Sequence, residues 1–235
     1  MNALALPLHY SRIGERGEWV LLLHGLFGSG DNLGALAKFL ATEFRVVQID
    51  LRNHGRSPHS EEMSFAAMAA DIARLQDTLE ISRSHLVGHS LGGKIAMQLA
   101  LNDATRVQRL IVADIAPVAY PPQHMTILAA LQSIDLTQLR SRQQADARLA
   151  QWIMESSVRQ FLLKSLYKEG DVFRWRFNLP VLKASYPNLI DVVKGKPFAG
   201  PTLFIKGELS DYIKPEYEHA TRALFPNFEF KMIAG

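Results

Sequence analysis

A serine stands between glycines in Gly88-His89-Ser90-Leu91-Gly92-Gly93, directly after the apolar pair Leu86-Val87 and just before a helix-forming stretch. This is the G-x-S-x-G pattern of a nucleophile elbow, in which a sharp strand-to-helix turn lifts a serine hydroxyl clear of a sheet. Glycine is needed two residues to either side because a side chain there collides with neighbouring backbone. Cleaving an ester or thioester takes a nucleophile, donors for the developing oxyanion, a base, and a group that orients the base. Ser90 is the nucleophile in this reading, and the N–H of Leu91 is the first oxyanion donor. The second donor is expected from the loop His24-Gly25-Leu26-Phe27-Gly28-Ser29 that follows an earlier apolar run. Leu26 is the first choice there and Phe27 the alternative, since only backbone is used.

The elements that must position these groups alternate along the chain. Short apolar runs at 19–23, 45–49, 85–87, 110–112, 202–205 and 228–233 read as strands of a mostly parallel sheet covered on both faces. Helical patterns lie between them near 32–42, 64–79 and 92–101, the second opening on Ser64 as an N-cap. Such β-α-β-α alternation predicts a doubly wound open sheet. From about Pro117 to Pro197 the strand signal disappears and a long, aromatic-bearing helical pattern replaces it. Residues 1–118 and 197–235 are therefore assigned to the core and 119–196 to an inserted helical cap.

Four segments together resemble the α/β-hydrolases and, within them, the bacterial YbfF-type esterases. They are 24–29 with Asp31-Asn32-Leu33-Gly34, then Asp50-Leu51-Arg52-Asn53-His54-Gly55-Arg56-Ser57-Pro58, then 88–93 with Lys94, and finally Asp114-Ile115-Ala116-Pro117. The resemblance spans essentially the whole chain and implies a cofactor-free serine hydrolase. In most α/β-hydrolases the acid follows the strand after the cap. Here Asp211 stands near that place, one residue late for the usual Gly-x-x-Asp spacing. The YbfF-type resemblance instead implies an acid at Asp114, which is favoured over Asp211. The base should follow the last strand, where family members continue into a glycine-containing turn and then a histidine. This sequence reads Met232-Ile233-Ala234-Gly235 at that point, so the catalytic histidine is expected beyond Gly235. His24 and His89 belong to motifs with structural roles, His54 and His59 follow Asp50, and His219 falls in a helix before the last strand.

Composition narrows the alternatives. The 235 residues contain no cysteine, so neither a thiolate nucleophile nor a thiolate metal site is available. The net charge is +3 without a Lys/Arg-rich arm, which argues against nucleic acid as a partner. No apolar run reaches the ~18 residues of a membrane span, and the start carries no secretory pattern; a cytoplasmic protein is expected. Between Ala119 and Ile190 there are nine Lys/Arg against five Asp/Glu, a local excess that could draw an anionic substrate such as an acyl-CoA to the cap. Gly88 to Lys94 also fits the opening of a P-loop, but Ile95 occupies the Mg²⁺-binding Ser/Thr position, and Lys94 reads as a helix-surface residue. The sequence thus predicts hydrolysis of a small carboxyl ester or acyl thioester through an acyl-Ser90 intermediate. A carbon–carbon bond hydrolase and a catalytically silent binding protein on the same fold are the alternatives.

Overall fold

The computed structural model describes residues 5–234. Its sheet is built from β1 (Tyr10–Ile13), β2 (Trp19–Leu23), β3 (Arg45–Ile49), β4 (Ser84–His89), β5 (Val107–Ala113), β8 (Thr202–Gly207) and β9 (Phe228–Ile233), in the order β1-β3-β2-β4-β5-β8-β9. All pairings are parallel except β1 with β3. The apolar runs form the middle strands because Leu21, Leu22 and Leu23 are sealed on both faces, as are Val46, Val47 and Ile49. The connections are α1 (Gly34–Leu40), α2 (Phe65–Thr78) and α3 (Leu91–Asn102), with α8 (Glu218–Leu224) preceding β9. Ser64 caps α2 as its type predicts, accepting a hydrogen bond from the Ala67 N–H.

Two elements had no counterpart in the sequence reading. β1 is a half-exposed edge strand without an apolar run, held by its register Tyr10↔Ile49 to Ile13↔Val46. The second is a hairpin inside the segment expected to be only helical. After α4 (Met125–Gln132), α5 (Arg142–Leu149) and α6 (Ser156–Leu163), the chain forms β6 (Leu166–Glu169) and β7 (Val172–Trp175), then enters α7 (Leu179–Leu189). The turn is Gly170-Asp171, with Gly170 at φ +59°, a value that suits the first central position of a tight hairpin turn. The alternation Val172, Phe173, Arg174, Trp175, exposed then buried in turn, was the available signal.

β2 has β3 on one side and β4 on the other, so the chain reverses its winding direction there. In an open parallel sheet that switch point opens a crevice at the carboxyl ends of the strands. The loop after β2 and the turn after β4 both open into it. α3 is buried along Leu91 to Leu101, Lys94 included, and lies hard against β2. A methyl group on Gly92 would stand 2.2 Å from the Leu23 carbonyl oxygen, and one on Gly88 2.3 Å from that of Gly92. Since both obstacles are backbone, Gly92→Ala must push the helix off the sheet. The expected cost is about 1–3 kcal/mol or more, read as a lower urea midpoint. An unchanged midpoint would show that the helix is free to shift.

Candidate active site

Four of the residues with positive φ line the carboxyl ends of successive strands: Phe27 (64°) after β2, Asn53 (62°) after β3, Ser90 (52°) after β4 and Asp114 (56°) after β5. For non-glycine residues this region costs on the order of 1–3 kcal/mol each and persists only where the surroundings over-determine it. Ser90, at φ 52° and ψ −116°, is fixed between β4 and α3, and its N–H donates to the Ala113 carbonyl at 2.9 Å. Leu91 opens α3, so its N–H has no intrahelical acceptor and is free to serve a ligand.

The loop after β2 is held from both sides. Phe27 N–H donates to His54 Nε2 at 3.2 Å, and its carbonyl accepts from Ser165 Oγ at 2.8 Å. Its ring packs edge-on to Phe177, with centroids 5.3 Å apart. The Phe27 N–H is therefore engaged, whereas that of Leu26 meets no acceptor among the described residues, which favours Leu26 of the two oxyanion candidates. His24 Nδ1 donates to the Gly25 carbonyl at 2.8 Å while its Nε2 accepts from Leu51 N–H at 3.1 Å. His54 is arranged alike, its Nδ1 donating to the Arg52 carbonyl at 2.9 Å. Each imidazole bridges one donor and one acceptor, so only the neutral ring satisfies both. Burial pushes His24 down to about 4 and His54 down to about 3.

The two carboxylate candidates separate clearly. Asp114 directly follows β5, its N–H donates to the Ile205 carbonyl at 2.8 Å, and its side chain lines the same cleft as Ser90. Its Oδ1 is buried and accepts no hydrogen bond. Asp211 is exposed, and it is its neighbour Tyr212 that lines the cleft. The histidine expected beyond Gly235 lies outside the described residues. Among the described residues no histidine is hydrogen-bonded to Ser90 Oγ or to the Asp114 carboxylate. His59 and His219 are exposed, and His219 sits on α8.

The cleft holds about 580 Å³ and is walled by the 24–28 loop on one side and by Ile127, Val158 and Phe161 from α4 and α6 on the other. Several of its parts were missed by sequence reasoning. His124 lines the cleft beside Ser90, with Nδ1 2.8 Å from the Tyr186 hydroxyl, and burial lowers its proton affinity. The Tyr120 hydroxyl accepts from Ala116 N–H at 2.8 Å and donates to the Tyr212 carbonyl, locking the loop after β5 to the loop after β8. Neither residue carried a sequence signal beyond aromatic content. Lys94 is also not the surface residue that its position suggested. It is 1% exposed, with Nζ donating to the Val118 and Asp191 carbonyls, because α3 is covered on the side facing the 119–196 segment. Desolvation lowers its pKa to about 7.

Residues 18–168 match the family model of the alpha/beta hydrolase fold. The chain is 41% identical over 217 residues to the esterase YbfF of Escherichia coli (strain K12), covering 92% of this chain and 84% of that protein. It is 38% identical over 239 residues to the mouse sn-1-specific diacylglycerol lipase ABHD11, covering 97% and 78%. A solved structure of a marine microorganism esterase superposes with a TM-score of 0.96 at 38% identity, over 98% of this chain and 92% of the other. The expected fold class, a mostly parallel α/β-hydrolase sheet with inserted helices, is the one observed. With its elbow at the switch point and its relatives on both sides of the bacterial–animal divide, the chain belongs to the α/β-hydrolase fold family, in the branch that includes the YbfF-type esterases.

Proposed function

We propose that this protein is a cofactor-free serine hydrolase of carboxyl esters or acyl thioesters, with residues 119–196 acting as the cap. Ser90 Oγ attacks the substrate carbonyl, and a histidine from beyond Gly235 takes its proton. The carbonyl electrons move onto oxygen, which the Leu26 and Leu91 N–H groups hold. Collapse of this adduct expels the alkoxide or thiolate, the histidine returns the proton to it, and water later cleaves acyl-Ser90 by the same steps. Asp114 orients the histidine and stabilises its cation. The observation that carries this reading is the buried, unpartnered Asp114 Oδ1 in the cleft of Ser90. A buried carboxylate oxygen without a donor is costly, and an imidazole Nδ1–H is the donor this chemistry supplies. Relatives named esterase and lipase support the reaction class.

The test is mass spectrometry of the natural protein after treatment with a fluorophosphonate. One adduct, mapped to Ser90 and lost in Ser90→Ala, is expected. An intact native protein without an adduct would instead favour a binding protein that has lost catalysis. An acyl-CoA is the finer expectation for the leaving group, resting on the basic excess of the cap and on Lys164 at the cleft wall. Raising salt from ~10 mM to ~0.3 M shortens the screening length from about 30 Å to under 8 Å. It should then depress kcat/KM for an acyl-CoA more than for a neutral ester with the same acyl group. Equal salt responses would remove the steering argument.

A further inference from the structure

Strand β9 closes one end of the sheet, and among the described residues it pairs only with β8. The Ile233 carbonyl accepts from the Glu208 N–H at 2.9 Å, so Ile233 turns its peptide groups toward β8. Peptide groups alternate in direction along a strand, and those of Lys231 and Glu229 therefore turn inward as well. The groups of Phe228, Phe230 and Met232 point out of the sheet edge. Of these, only the Phe228 N–H is engaged among the described residues, by the Phe225 carbonyl at 3.2 Å. Such an edge is a template for a further strand.

The side chains alternate in the same way. Phe228, Phe230 and Met232 share a face with Phe204 and line a groove of about 490 Å³ beside α8. Phe230 is 50% exposed and Met232 56%. Glu229 and Lys231 project to the opposite face, both exposed and neither ion-paired among the described residues.

Read in either direction, 228–232 runs apolar, charged, apolar, oppositely charged, apolar. A second copy running antiparallel and centred on Phe230 sets Phe230 opposite the partner's Phe230. Glu229 then meets the partner's Lys231, and Phe228 meets the partner's Met232. The two Phe230 residues exchange both backbone hydrogen bonds. The Glu229 and Lys231 pairs fall at the non-hydrogen-bonded positions, where opposed side chains stand closest. Charges on an edge strand ordinarily ward off a second strand. Here they are opposite in sign and symmetric about Phe230, so they attract in this register, whereas centring on Glu229 or Lys231 opposes like charges. The far edge, β1, offers no such match, since its one charge, Arg12, lies over the Trp19 ring. Both copies use the same patch, so the contact is two-fold and closes on itself.

We infer that the protein forms a two-fold dimer through β9, the two sheets joining into one. The contact uses none of the residues around Ser90. The experiment is sedimentation velocity of the natural protein over a concentration series, and the expected species has twice the mass of one chain. Lys231→Glu and Glu229→Lys each set like charges against one another at both pairs and are expected to weaken the dimer by about 10-fold or more. Because both positions are exposed, each variant should keep the far-UV circular dichroism of the natural protein. Mixed in equal amounts, the two variants again present Lys to Glu at both pairs, and a heterodimer is expected. A monomer at every concentration, a dimer indifferent to either substitution, or a mixture that stays monomeric overturns the assignment.

Discussion

Replacing Asp114 by Asn is expected to lower kcat of the natural protein by about 10⁴-fold, the scale seen when the aspartate of a Ser-His-Asp triad is made neutral. The amide is nearly isosteric, so Ser90, the elbow and the cleft should stay in place. What changes is the partner presented to the histidine. A carboxylate Oδ1 accepts an Nδ1–H and stabilises the imidazolium, whereas an amide can turn its NH₂ toward the ring and favour the wrong tautomer. KM should change far less than kcat, because Asp114 acts on the charge that develops after binding. Asp211→Asn is the internal comparison. That residue is exposed, outside the cleft and beside the lining residue Tyr212, so its neutralisation should leave kcat within about three-fold. Steady-state kinetics of the two variants decide the matter. If Asp211→Asn carried the large loss, the acid would belong after β8 and the unpartnered Oδ1 of Asp114 would need another explanation.

Stability is expected to fall steeply below about pH 6.5 through His24 and His54. An unfolded histidine titrates near 6.5, whereas burial holds these two down to about 4 and about 3 in the folded chain. Between those limits the unfolded state binds protons that the native state refuses, so stability is fully present above ~6.5 and is lost as the pH falls. Each histidine contributes up to ~1.4 kcal/mol per pH unit in that window, which amounts to several kcal/mol for the pair by pH 4.5. The structural cost is specific. Protonated His54 Nε2 no longer accepts the Phe27 N–H, and protonated His24 Nε2 no longer accepts that of Leu51. Acid should therefore loosen the 24–28 loop first, and with it the Leu26 donor. Urea midpoints from pH 7.5 to 4.5 measure this, with His54→Gln as the comparison, since glutamine keeps a donor and an acceptor but does not titrate. A native protein whose midpoint tracks that of His54→Gln across the range would remove His54 from the account.

Much of this protein was already determined by local sequence. The apolar runs became strands within a few residues of their expected bounds, because short Val-, Ile- and Leu-rich runs between turn signals suit strands of a parallel sheet buried on both faces. The elbow was legible because steric exclusion is local: glycines at 88 and 92 are needed wherever a helix comes that close to a strand. Tertiary structure decided what depends on neighbours distant in the chain. Spacing put Asp211 one residue late after its glycine, but only the fold shows that Asp114 lies in the cleft and Asp211 faces solvent, because of where β5 and β8 end beside Ser90. Lys94 reads as a surface residue in a helix pattern, and only the return of the chain at Val118 and Asp191 buries it among carbonyls. The β6–β7 hairpin and the β1 edge were hidden for the same reason, since short half-exposed strands owe their shape to pairing rather than to a periodic apolar face. Sequence alone thus specified the serine elbow and the sheet that presents it, through sterics and burial acting over a few residues. The meeting of Asp114 with Ser90 in one cleft and the burial of Lys94 arise from contacts between segments up to about a hundred residues apart, and so belong to the tertiary structure.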